Sequence, residues 1–308
     1  MTETAKGLWG VYALFSLLCV LAYWLGGMDP LNALMYMFST VSLGGLSPHD
    51  ASFGYYQSPL LEAIAVGFML VASCNFALYF VAMRKGHWQG FWRDPELRAT
   101  LSTLIGGGLL VAGLLWVKGV YAPLEALRHG MFSLVSVATT TGYATVDYLG
   151  WPVFAPVFML LLSGVATSAG STGCGIKMVR MLILLKQARR EMNRLVHPRA
   201  VIKQQYNKHN LDEDIVRSLI TFSFFFAITI ALLAMGITLT GVDWVTALTG
   251  ATSAVCNVGP GLGPVIGPTG NYSNLPNSAK WMLTAGMLLG RLEILTVLVL
   301  FTKVFWKH

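Results

Sequence analysis

Three short stretches hold residues whose types and spacing could do chemistry. They are "TVSLGGLSPHD" at 40–50, "TTTGYATVD" at 139–147 and "CNVGPGLGP" at 256–264. Each sets Ser, Thr or Asn beside glycine, close to runs apolar enough for lipid. In hydrocarbon, irregular backbone persists only where it is buried in protein or lines a watery cavity. These stretches are therefore expected to line something. Glycine permits backbone angles that turn carbonyl oxygens toward an axis. A ring of such oxygens can replace the water shell of a cation such as potassium. The hydroxyls of Thr139, Thr140 and Thr141 are expected to add further oxygens.

The elements that must position them follow from hydropathy and length. The chain has 308 residues, 55% of them hydrophobic and 11% charged, against about 25% charge in a soluble domain. It is an integral membrane protein. A spanning helix needs about 20 apolar residues, and six segments suggest themselves: 8–26, 59–82, 100–121, 152–167 with its continuation, 216–240 and 279–303. Before the second, fourth and sixth lies a shorter helical run that opens at an acid or Pro and ends at Gly44, Gly142 or Gly259. Ten to fourteen helical residues rise about 15–21 Å, roughly half a bilayer. Such a helix enters and must return. If its C-terminal end points inward, its unpaired carbonyls favour cations.

The unit of spanning helix, half-helix, glycine loop and spanning helix thus recurs three times, and the expected fold class is all-α, integral membrane, with three tandem pore repeats. The expected boundaries are 1–82, 100–190 and 215–308 for the repeats. A cytoplasmic loop at 83–99 and a basic linker at 191–214 separate them. The net charge of +7 invites nucleic acid, but topology explains it better. Arg84, Lys85, Arg93 and Arg98 fall in one loop. Lys177, Arg180, Lys186, Arg189, Arg190, Arg194, Arg199, Lys203, Lys208 and Arg217 fall in another, and Lys6, Lys303 and Lys307 mark the ends. Six crossings place all of them on the cytoplasmic side. The glycine loops then face outward, near Asp29, Asp50, Asp147 and Asp243. These acids either form a cation-attracting mouth or are ordinary loop acids.

Other chemistry finds little support. The four cysteines form no CxxC pair, and the six histidines lack metal-ligand spacing. No nucleophile–base pair has usable spacing, so no enzyme and no organic cofactor are expected. "MTETAKGLWG" lacks the short apolar region and cleavage site of a signal peptide. "GSTGCGIK" at 170–177 approaches a phosphate loop, but Ile176 separates Gly175 from Lys177, where that motif needs Gly-Lys.

The fourth segment breaks at 163–175, a stretch rich in Gly, Ser, Thr and Ala. It is either a kink for close packing or a loop within the membrane. Arg291 lies twelve residues past Ala279, about 18 Å along a helix. That depth is costly for a charge. Arg291 either makes a structural ion pair, snorkels, or stands in an ion path against the 163–175 loop; Glu293 projects from another face.

The three glycine stretches, together with "GSTGCGIKMVRMLILLK" at 170–186 and "GRLEILTVL" at 290–298, resemble the Trk/Ktr/HKT potassium transporters, and within them the bacterial Trk branch. The resemblance extends over essentially the whole chain. It implies membrane–pore loop–membrane repeats around one axis, four in the complete fold, potassium as the ion carried, and a homodimer in the bacterial inner membrane. A cytosolic nucleotide-binding regulatory subunit is implied as partner. The ion-facing residues it implies are Ser42, Leu43 and Gly44; Thr140, Thr141 and Gly142; and Asn257, Val258 and Gly259. Leu43 and Val258 would act through their carbonyls. Gly164, Gly170, Gly173 and Gly175 match a gating loop, and Arg291 matches an arginine beside it. By motif the three units match the family's second, third and fourth, so the chain is expected to be incomplete as a pore. An ion-coupled carrier with a midplane site and a non-conducting membrane piece are the competing readings.

Overall fold

The computed structural model describes residues 2–86, 88–199, 205–207, 209–303, 305 and 306. Of the basic residues used for topology, Lys203, Lys208 and Lys307 lie outside the described residues. Thirteen helices are described: α1 Thr2–Leu25, α2 Pro30–Val41, α3 Pro59–Ala72, α4 Phe76–Lys85, α5 Trp88–Arg93, α6 Pro95–Val117, α7 Pro123–Ala138, α8 Phe154–Ser163, α9 Met178–Val196, α10 Glu213–Thr238, α11 Trp244–Cys256, α12 Asn277–Arg291 and α13 Ile294–Val299. Within the linker, Gln205–Tyr206 and His209–Asn210 pair as a short antiparallel ladder, which no sequence signal anticipates.

The order of long helix, short helix, loop and interrupted helix occurs three times. The long members are α1, α6 and α10, whose apolar stretches are each long enough to span. On α6 the buried face runs through Leu104, Gly107, Gly108, Val111 and Leu115, at helical spacing. Leu109, Leu110 and Trp116 are exposed on the opposite face, as suits a helix whose solvent there is lipid. The short members α2, α7 and α11 have 12, 16 and 13 residues. Asp29 caps α2 by accepting the Leu31 N–H at 3.1 Å, and Asp243 caps α11 by accepting the Thr246 N–H at 2.9 Å. Pro30 and Pro123 occupy first-turn positions that need no N–H.

The closing helix is interrupted in all three units, where the sequence suggested interruption in one. The 59–82 segment bends by 85° between α3 and α4. The 279–303 segment breaks after Arg291, with Glu293 at φ 60°. The 152–186 segment leaves helix between Ser163 and Met178. One buried cluster unites Leu104, Leu134, Val137, Leu160, Phe222 and Val258. A second gathers Tyr23, Tyr36, Val41, Phe53 and Tyr143 across the first two units.

Candidate cation-binding segments

The short helices end in the same way. After α2, the Leu43 N–H bonds the Thr40 carbonyl at 3.1 Å and the Gly44 N–H bonds the Ser39 carbonyl at 2.8 Å. After α7, Thr140 bonds Val137 at 3.1 Å and Thr141 bonds Ser136 at 2.9 Å. After α11, Asn257 bonds Ala254 at 3.0 Å and Val258 bonds Ser253 at 2.9 Å. This is the paired hydrogen bonding of a Schellman end, which needs one left-handed residue. Here that residue is Leu43 (φ 53°), Thr140 (φ 63°) or Asn257 (φ 54°). A branched threonine in this region is strained, and such strain gathers at functional sites.

Two residues beyond each left-handed residue stands a second one, always glycine: Gly45 (φ 65°), Gly142 (φ 87°) and Gly259 (φ 103°). In backbone conformation the first segment is offset by one residue from the expected Ser42–Leu43–Gly44. By backbone conformation the triplets are Leu43–Gly44–Gly45, Thr140–Thr141–Gly142 and Asn257–Val258–Gly259. Ser42 belongs to the end of α2, in right-handed conformation. Gly44 corresponds to Thr141, and Gly45 is the counterpart of Gly142.

The triplets lean on one another. A Cβ on Gly45 would run into the Thr141 carbonyl, and one on Gly142 would run into the Val258 carbonyl. A Cβ on Gly259 would meet nothing within 4 Å. On that free side a cavity of about 350 Å³ is lined by Gly44, Asn257, Gly259, Tyr272 and Lys280. The Leu43 and Val258 side chains are buried in the two protein clusters, leaving their backbones as the polar parts. The threonine hydroxyls expected to supply extra oxygens are engaged with protein. Thr139 Oγ1 donates to the Val135 carbonyl at 2.7 Å and lies 2.8 Å from Thr141 Oγ1, while Thr140 Oγ1 accepts the Cys174 N–H at 3.1 Å. Supporting hydroxyls went unnoticed in the sequence. Tyr143, placed by the Gly142 turn, reaches Thr40 Oγ1 at 3.1 Å, and the Tyr272 hydroxyl donates to the Gly259 carbonyl at 2.5 Å.

Beneath the triplets runs the 164–177 loop. Thr172 Oγ1 donates to the Val41 carbonyl at 3.0 Å, at the end of α2. The Ser168 N–H bonds the Ser73 carbonyl at 2.9 Å and the Phe76 N–H bonds the Gly170 carbonyl at 3.2 Å, so the loop docks on the α3–α4 break. Arg291 approaches from the α12–α13 break, donating to the Thr172 carbonyl and to Cys174 Sγ, each at 3.0 Å. Among the described residues no carboxylate pairs with Arg291. Glu293 takes Arg180 at 2.6 Å instead. Of the glycines in the loop, Gly170 and Gly175 have positive φ, and Gly164 accepts the Ile176 N–H at 2.6 Å, closing the loop's base. Gly173 packs on Thr167.

Three of the four acids near the glycine loops serve as caps. Asp29 and Asp243 hold α2 and α11, and Asp147 accepts the Leu149 N–H at 3.0 Å. The hydrogen bonds from Thr246 hold the Asp243 carboxyl below its usual range.

The model of the TrkH family, described as cation transport protein, matches residues 1–307. The chain belongs to the TrkH family. It is 41% identical over 307 residues to the Trk system potassium uptake protein TrkH of Halomonas elongata, covering 100% of this chain and 63% of that protein. It is 39% identical over 309 residues to the TrkH of Escherichia coli K12, again with 100% and 63% covered. The crystal structure of the potassium transporter TrkH from Vibrio parahaemolyticus superposes with a TM-score of 0.94 at 38% identity, covering 99% of this chain and 65% of that one. The chain thus spans 63% of the length of the TrkH relatives from Halomonas and Escherichia.

Proposed function

We propose that this TrkH-family chain forms three walls of a potassium pathway and serves in potassium uptake as part of the pore-forming subunit of a Trk-type system, in the bacterial inner membrane. The observation that carries this reading is the threefold recurrence of one backbone turn, with two of the three glycines packed on the next unit's carbonyl. Such a stack presents main-chain oxygens at the ends of helices whose dipoles favour cations. The open side of Gly259 and the cavity beside it fit a fourth wall supplied from outside these residues. In this reading 1–82, 100–190 and 215–308 are the pore repeats. The intervening 83–99 and 191–214 face the cytosol, where a nucleotide-binding regulatory subunit docks, and the complete protein is a homodimer. The 164–177 loop closes the path below the triplets and Arg291 holds it there.

Gly142→Ser in the complete assembly tests the reading. A Cβ at φ 87° pressed on the Val258 carbonyl displaces two neighbouring triplets at once. The potassium-to-sodium permeability ratio is expected to fall, and an unchanged ratio would sink the assignment. Unitary current steps across a bilayer separate a pore from a carrier, which gives none.

A further inference from the structure

Glu96 stands in the first turn of α6 and is 6% exposed. A carboxylate in a first turn suits the helix dipole and ordinarily stays with its own helix. Glu96 reaches across to the 164–177 loop instead, where its Oε1 accepts the Ala169 N–H at 2.5 Å. One turn further along the same face, Thr100 is fully buried and its hydroxyl lies 2.9 Å from Ser168 Oγ. Two adjacent loop residues are thus gripped by two adjacent turns of a long, regular helix. The Ser168 N–H is fixed at the same corner by the Ser73 carbonyl. From that corner the chain passes through Thr172 to Cys174, both of which touch Arg291. The loop is therefore held at two ends by opposite charges: a carboxylate taking a backbone N–H on one side, a guanidinium giving to a carbonyl and a sulfur on the other.

We propose that Glu96 is a positioning residue, whose carboxylate, with the Thr100 hydroxyl, clasps residues 168–169 to α6 and so keeps Thr172 and Cys174 beneath the triplets. Burying a carboxylate is costly unless its hydrogen bonds repay the loss of water. A charged acceptor gives about twice the strength of a neutral one. Losing it releases the corner while leaving α6 capped, because Asp94 Oδ1 independently accepts the Leu97 N–H at 2.9 Å. The inference rests on the reading of this loop as the closing element, but its test needs no conduction.

The chain carries its own reporters. Cys174, in the loop, is buried, and Cys19, in the α1 packing of the first unit, is fully buried. The purified full chain in detergent is treated with a small cationic methanethiosulfonate, and each cysteine's modification rate is followed by peptide mass spectrometry. Glu96→Ala is expected to raise the rate at Cys174 by about tenfold, the size expected for losing one charged hydrogen bond, while Cys19 stays protected. An unchanged rate at Cys174 overturns the clasp. If Glu96→Ala exposes Cys19 as well, the fold has loosened, and Glu96→Gln decides. The amide keeps the shape and a neutral acceptor. A smaller rise at Cys174 with Cys19 protected supports the clasp, and no rise refutes it. Since labelling is independent of ion passage, a positive result stands even if no potassium flux is found, and a negative one leaves the potassium reading intact.

Discussion

Gly44 and Gly45 are adjacent and chemically identical, yet the structure predicts very different costs for a methyl group at each. At Gly45 the backbone has φ 65°. An L-residue there costs about 1–2 kcal/mol from its own Cβ and carbonyl. The new Cβ would also collide with the Thr141 carbonyl, a backbone atom fixed by its own turn. Forcing such an overlap costs about 1–3 kcal/mol more. Gly45→Ala should therefore destabilise by about 2–5 kcal/mol, or about 3–8 °C in thermal midpoint. At Gly44 the φ is ordinary, and the nearest contact of a new Cβ is Ser42 Oγ at 3.1 Å, a hydroxyl that can rotate away. Its small cost is offset by the entropy that alanine removes from the unfolded chain, about 0.4–1 kcal/mol. Gly44→Ala should move the midpoint by no more than about 2 °C. The assay is the unfolding midpoint of purified protein in detergent, read by intrinsic fluorescence. A Gly44→Ala loss equal to or greater than that of Gly45→Ala would refute the register and with it the equivalence of the three triplets.

Arg291→Ala should increase potassium flux per folded molecule, because it removes both the loop's anchor and a fixed positive charge. Two unit charges at 4 Å repel by roughly 4 kcal/mol at an effective dielectric of 20, and even with screening of this exposed side chain about 1.4 kcal/mol speeds passage tenfold; a level or lower flux normalised to folded protein rejects the role. Tyr272→Phe removes the hydroxyl that fixes the Gly259 carbonyl, a bond of about 1 kcal/mol. Potassium-to-sodium selectivity should fall with the fold intact, and an unaltered ratio shows that this carbonyl needs no support. Cysteines introduced at Gly90 and Asn193 should both resist an impermeant reagent applied from outside, since both loops carry excess Lys and Arg; labelling of just one contradicts the even number of crossings between them.

The long helices were legible because each offers a continuous apolar run, and the short ones because a glycine ends a run too brief to cross. The break at 164–177 was legible from its small polar residues. The breaks at 73–75 and 292–293 were not, for a physical reason. Neither contains glycine or proline, so local propensity gives no warning. At 73–75 the hydrogen bonds that helix would have used are replaced from far along the chain, the Ser73 carbonyl taking Ser168 and the Phe76 N–H taking Gly170. At 292–293 the left-handed residue is Glu293, a type that seldom announces such a turn. The first triplet raises the same difficulty for its backbone register. A double glycine offers two registers, and the choice was made by Leu43 adopting a left-handed conformation that leucine does not advertise. The acids flanking the loops were visible, but three of them cap local backbone, which tempers their reading as a cation mouth.

The contact of glycine on neighbouring carbonyl also bears on how such a chain can diverge. Side chains of the triplets share no common chemistry: leucine, threonine and asparagine occupy one position, and glycine, threonine and valine the next. What the three units share is the space where a side chain is missing. A lineage that duplicated one such unit could change nearly every neighbouring residue in one copy without consulting the others. The third residue of the first two units alone would be constrained jointly, since enlarging Gly45 or Gly142 pushes on the next unit's carbonyl. Drift should therefore run freely along each unit and stall at a single point of mutual contact.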